Sequence, residues 1–106
     1  MDEHGMLPSL AQLEENFRAG SPRSHEEFER GRAVMPGVAK GAYFYGPYPL
    51  AMERGEGCYL FDLDERRFVD FAGHHTAQIL GHGNPAVLKA VSAQLERGIA
   101  MGAPVG

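Results

Sequence analysis

Cysteine occurs once in this 106-residue chain, at Cys58, so no disulfide can form within it. A lone thiol fits a reducing cytoplasm. Basic clusters are missing as well: ten Lys and Arg are interspersed with fourteen Asp and Glu, for a net charge of −4. Without a basic patch to neutralise a row of phosphates, nucleic acid is disfavoured as a partner. No apolar run approaches the ~20 residues that cross a bilayer, so a membrane partner is not expected. The acidic start, Met1 to Gly5, lacks the basic and apolar regions of a signal peptide, and the expected location is cytoplasmic. Lysine is scarce. Lys40 sits in a glycine-flanked loop and Lys89 on the polar side of the C-terminal helix, neither in the dehydrated setting that lowers a lysine pKa towards nucleophilicity.

What is present is glycine, proline and short apolar segments in a helix–strand–helix order. Gly and Pro cluster in Met35–Pro49 and Gly98–Gly106, which therefore read as loops. Pro8-Ser9 opens a first helix, with Ser9 and Gln12 as a capping box and Leu10, Leu13 and Phe17 on one face. Gly20-Ser21-Pro22 ends it. A second helix is expected from Ser24, with Glu27 in the reciprocal box position, Phe28 as its apolar anchor, and Arg30 and Arg32 near the end that favours cations. Neither helix has a wide apolar face, which suits an arm docked on something larger.

The centre of the chain is Arg54 to Val87. Gly55-Glu56-Gly57 reads as a turn between a strand at Leu50–Glu53 and an apolar run, Cys58–Phe61, expected to be buried on both faces. Asp62–Arg66 reverses the chain, and Arg67–Phe71 completes a three-stranded antiparallel meander. In that reading Cys58 is a core thiol. Asn84 caps a last helix with Pro85 at its first position, and Val87, Leu88, Val91 and Leu95 form its apolar stripe up to Arg97-Gly98. Val87 and Leu88 are expected to pack on the meander, so Leu88→Ala would cost roughly 2–5 kcal/mol. The fold class is α+β: a helical arm, a meander and a following helix.

His74, His75 and His82 fall within nine residues, yet no Cys or acid lies between them and the spacing is not that of the common zinc motifs, so no metal ligands are assigned. A histidine-based metal binder remains the weakest of three readings. His82 reads as a fixer of the Gly-rich bend through backbone hydrogen bonds. The aromatics Tyr43, Phe44, Tyr45 and Tyr48 are either packing or a site wall, and His75 is either a wall or a plain loop residue.

Three separated segments carry a resemblance: MPG at 35–37, RGEGCYLFDLDERRFVDF at 54–71 and ILGHGNPAV at 79–87. In that order they resemble the N-terminal segment of class III pyridoxal-phosphate (PLP) aminotransferases, in the branch of glutamate-1-semialdehyde aminomutase and β-amino-acid aminotransferase. The likeness runs from about Phe28 to Pro104. It implies an aspartate-aminotransferase-like fold, of which this chain holds an N-terminal arm (1–34), an aromatic Gly/Pro-rich loop (35–49) and the N-terminal part of the small domain (50–106), with the large domain absent. It also implies a PLP-dependent transaminase or aminomutase, homodimeric when complete, acting on an amino acid or keto acid. The arm would pack across the dimer.

Lys40, Tyr45 and His75 are then the substrate-facing residues. Where the resembled enzymes carry an Asn-Ser or Ser-x-Arg element for a substrate carboxylate, this chain reads Val38-Ala39-Lys40-Gly41, with no arginine in that stretch. Lys40 is a point charge without a guanidinium's bidentate fork. The Schiff-base lysine, the acid for the pyridine nitrogen and the phosphate cup all belong to the large domain in the resembled enzymes. No catalytic and no cofactor-binding residue is therefore assigned here, and PLP would not be bound by this chain alone. The alternative is a non-catalytic split or truncated α+β module that associates with a separate large-domain chain.

Overall fold

The computed structural model describes residues 7–37 and 46–99. In chain order they form α1 (Leu10–Gly20), α2 (Pro22–Arg32), β1 (Met52–Glu56), β2 (Tyr59–Asp62), β3 (Arg67–Val69), the four-residue turn α3 (Gly73–Thr76) and α4 (Pro85–Arg97). The strands make one antiparallel sheet in the order β1-β2-β3, so the α+β meander is the observed architecture. Two compact units result. The first takes the described part of Met1–Arg54 with Leu60–Phe68, and the second takes Gly55–Tyr59 with the described part of Val69–Gly106. Among the described residues no helix is long and apolar enough to cross a membrane.

In the first unit, α1 starts as its cap chemistry dictates. Ser9 Oγ accepts from the Gln12 N–H at 3.3 Å, and Gln12 Oε1 accepts from the Ser9 N–H at 2.8 Å. The second helix starts three residues earlier than expected, with Ser21 rather than Ser24 at the N-cap position. Pro22 does not end a segment but opens α2, because its missing N–H and fixed φ suit the first helical position. One residue, Ser21, separates the helices. Its hydroxyl donates to Phe17 O at 2.5 Å and makes no cap bond. The cap comes from elsewhere: Asp64 Oδ1 accepts from Arg23 N at 3.2 Å and Oδ2 lies 3.5 Å from Ser24 N. Arg23 returns a hydrogen bond to Leu63 O. Ser24, anticipated as the cap, is buried and accepts from Ala51 N at 3.1 Å.

Tyr48 is the core of this unit, 1% exposed. Its ring stacks on His25 at 4.8 Å and meets Phe17 at 5.1 Å and Phe28 at 6.3 Å, while its hydroxyl donates to Ser21 O at 3.2 Å. One of the four loop aromatics is thus packing; Tyr43, Phe44 and Tyr45 lie outside the described residues.

The β2–β3 reversal hangs on Asp62, whose side chain is fully buried. Oδ1 accepts from Asp64 N at 3.0 Å and Arg66 N at 2.8 Å, and Oδ2 accepts from Arg66 Nε at 2.8 Å. Arg66 Nη2 lies 2.8 Å from the same oxygen without hydrogen-bond geometry. Asp62 ends β2 rather than belonging to the loop, since its backbone N–H pairs with Arg66 O at 3.1 Å.

Two strand boundaries also move. β1 runs through Gly55 and Glu56, leaving the turn to Gly57-Cys58, and Cys58 is exposed rather than a core thiol. The residues Tyr59–Phe61 are half-buried, not enclosed on both faces. α4 begins and ends where expected, but Val87, Leu88, Val91 and Leu95 are all exposed, so their anticipated burial is not made within the described residues.

Two substitutions contrast these environments. Asp62→Ala strands two backbone N–H groups and an arginine, and should lower stability by about 2–4 kcal/mol in urea unfolding. Leu88→Ala, at a side chain 55% exposed, should cost no more than ~1 kcal/mol in the same assay. Equal losses would show that the turn carboxylate does not carry the first unit.

Candidate functional site

The second unit presents the features that could serve a site. After β3, the Asp70 N–H donates to Cys58 O at 2.8 Å and closes the hairpin. The chain then enters α3, where Gly73, His74, His75 and Thr76 have φ values of 48°, 49°, 55° and 68°. Four consecutive residues are left-handed, and three of them carry side chains. At ~1–2 kcal/mol for each non-glycine residue, this turn holds ~3–6 kcal/mol of strain that its surroundings must offset.

The offset is visible in the hydrogen bonds. Asp70 Oδ1 accepts from Ala72 N at 3.0 Å and Gly73 N at 2.9 Å. Within the turn, Thr76 N donates to Ala72 O at 2.9 Å and Gln78 N to Gly73 O at 3.0 Å. The other carboxylate oxygen, Oδ2, meets His82 Nε2 at 2.7 Å. An ionised carboxylate only accepts, so the ring donates from Nε2. The pair is largely enclosed, with 7% of the Asp70 side chain and 17% of the His82 side chain exposed.

His82 is fixed independently of Asp70. Its N–H and C=O bridge to Gly57 at 2.8 and 3.0 Å, as the anticipated backbone role requires. Its ring lies on the Gly55 backbone, where a Cβ would fall 2.5 Å from His82 Cγ. A Cβ at Gly81 would fall 2.7 Å from Gly57 O. No side chain fits at either position.

Around this frame lies a cavity of about 390 Å³ lined by Cys58, Asp70, Gln78, Leu80 and His82 with intervening glycines. A second groove of about 280 Å³ runs along Ile79, Leu80, Asn84, Val87 and Leu88. Asn84 Oδ1 already accepts from Ala86 N and Val87 N, at 3.0 and 3.3 Å, so the amides at the start of α4 are occupied.

Of the three residues expected to face substrate, His75 alone is among the described residues. Lys40 and Tyr45 lie outside the described residues. His75 is exposed on α3, its ring 6.2 Å from that of His74, and it lines neither cavity. Lys89 is exposed on α4. From the sequence alone, Asp70 has no role of its own and Gly55 reads as a turn residue, not as the seat of the His82 ring. The signal that could have found Asp70 is its place two and three residues before Ala72 and Gly73, the spacing at which an Asp side chain takes backbone amides in a turn.

The Gly73 N–H, then the His82 ring, hold the Asp70 carboxyl below the usual carboxylate range. A depressed native pKa contributes stability that is complete above the unfolded value of about 3.9 and is lost as pH falls through the native value. Acidification below about pH 4 should therefore loosen the second unit, with the Ala72 and Gly73 amides losing exchange protection. Asp70→Asn should remove that part of the pH dependence. An acid response identical in the two proteins would show that other carboxylates carry it.

Residues 41–104 match the family model described as aminotransferase class-III. The chain is 37% identical over 92 residues to the β-phenylalanine transaminase of Variovorax paradoxus, covering 86% of this chain and 21% of that enzyme. The solved structure of a β-phenylalanine aminotransferase from that organism superposes with a TM-score of 0.82 at 35% identity, over 92% of this chain and 23% of the other. A glutamate-1-semialdehyde 2,1-aminomutase of Rhodopirellula baltica is 39% identical over 90 residues, 81% of this chain and 20% of that one. A Pseudomonas aeruginosa glutamate-1-semialdehyde aminomutase, solved in complex with PMP, matches at 28% identity and a TM-score of 0.75, over 86% and 21%. The chain thus spans about a fifth of the length of the relatives it matches. With more than half its length inside the family model and its fold shared with solved transaminases, this chain belongs to the class III aminotransferase family.

Proposed function

We propose that this chain acts as the N-terminal part of a PLP-dependent transaminase or aminomutase, supplying a wall of the substrate pocket and part of a dimer contact, and is not catalytic alone. The observation that carries this reading is the match itself: 35–39% identity over most of this chain and about a fifth of each relative. On this reading, residues 1–34 are the arm, 35–49 a pocket loop and 50–106 the start of the small domain, in a cytoplasmic homodimer. Lys40, Tyr45 and His75 face an amino-acid or keto-acid substrate.

The described residues do not fit PLP by themselves. Lys89, their sole lysine, is exposed on a helix surface, and the α4 amides that might cradle a phosphate are taken by Asn84. On this reading the lysine and phosphate site come from the remainder of the enzyme. The exposed apolar stripe of α4, together with Ile79 and Leu80, supports a large partner surface in that role.

The test is a graft. This chain replaces the matching segment of the Variovorax β-phenylalanine transaminase, and the hybrid is expected to bind PLP and transfer amino groups. The 106-residue chain alone should give no borohydride-fixed cofactor and no turnover. Turnover by the chain alone would overturn the proposal. In the hybrid, His75→Ala should raise KM by about fivefold or more with kcat little changed, as loss of a binding contact does.

A further inference from the structure

We propose that Asp70 and His82 form a positioning pair that sets the left-handed conformation of Gly73–Thr76 and, through it, the placement of His75. The part concerning His75 rests on its assignment above to the substrate-facing wall; the part concerning the turn does not. The contacts run in one direction. His82 is anchored to the sheet by its two backbone bonds to Gly57 and by the seat of its ring on Gly55. Its Nε2 holds Asp70 Oδ2 at 2.7 Å. With that oxygen fixed, Oδ1 is aimed at the Ala72 and Gly73 amides, the two donors that lead into the strained residues.

Neither Asp70 nor His82 is needed as an acid or base for this. Each oxygen of Asp70 is engaged, and the ring N–H of His82 that faces it is used for orientation. The i→i−4 bond Thr76 N→Ala72 O does not fix the hand of the turn, because a right-handed turn makes the same span. Gln78 N→Gly73 O is the longer i→i−5 span that closes a turn where the hand changes, as it does at Ala77. At the entrance, the hand is held by the carboxylate, itself held from behind by the histidine. His75 lies midway through the turn, so a change of hand there would redirect its side chain.

The experiment has two arms. In the 106-residue chain, one-bond Cα–Hα couplings report positive φ at His74, His75 and Thr76. His82→Ala should move them towards negative-φ values while the Asp70 amide, bonded to Cys58, keeps its exchange protection. His82→Gln, which retains a side-chain N–H donor, should restore them. In the grafted enzyme, His82→Ala should raise KM on the order of tenfold with kcat changed less than about twofold, and adding His75→Ala should raise it no further. Unchanged couplings in His82→Ala would overturn the proposal, as would loss of Asp70 amide protection, which would make the pair a plain fold element. Additive KM effects would overturn the link to His75. If His75→Ala alone leaves KM unchanged, the substrate-wall reading fails, and the couplings alone decide the positioning pair.

Discussion

A carboxylate that takes two backbone amides with one oxygen and a side-chain donor with the other is the device on which both units depend. Asp62, at the end of β2, takes Asp64 N and Arg66 N with Oδ1 and the Arg66 guanidinium with Oδ2. Asp70, just after β3, takes Ala72 N and Gly73 N with Oδ1 and the His82 ring with Oδ2. Each sits where the chain must change direction and where backbone donors would otherwise go unpaired. Leaving such donors buried and unmet costs more than an average hydrogen bond contributes, so both carboxylates are constraints before they are sources of stability. Asp64 extends the same logic, serving as the cap that Ser21 does not provide for α2.

Such polar locks matter because apolar burial is slight. Among the described residues Tyr48 is the one fully buried hydrophobic side chain, while Phe71, Ile79, Leu80 and the α4 stripe stand in solvent. A chain of this length can hide only part of its apolar surface. Shape is therefore set by amide-to-carboxylate bonds at the turns, and the larger hydrophobic areas are left facing outward. The chain spans about a fifth of the length of its class III relatives, and the outward-facing apolar areas are what the proposed docking on other polypeptide would cover.

Features written within four residues of one another were legible in the sequence. The Ser9–Gln12 box and the Asn84-Pro85 start of α4 needed only neighbouring chemistry, and both formed as read. The meander was legible in outline, but its first turn moved because Gly55 serves close approach to His82 rather than reversal. The true cap of α2 could not be read at all, since Asp64 lies forty-one residues from Arg23. Pro22 was misjudged for a related reason. Proline both ends and opens helices, and only the single-residue break at Ser21 shows which it does here. The left-handed run was hidden because His74, His75 and Thr76 carry none of the glycine or asparagine signals of positive φ.

That hidden run is also where sequence-level rules and structure disagree most, and such disagreement marks positions with a task other than folding. Three side-chain-bearing residues in the left-handed region are unfavourable on local grounds, so the conformation must be imposed from outside the turn. The imposing groups are not apolar: among the described residues they are a carboxylate, an imidazole and two glycine backbones. Hydrogen bonds have direction where apolar contact has little, which suits a demand for one particular backbone hand. A segment shaped in this way can present a fixed wall before its apolar faces are covered. Docking then orders fewer groups, and more of the contact energy is available for association.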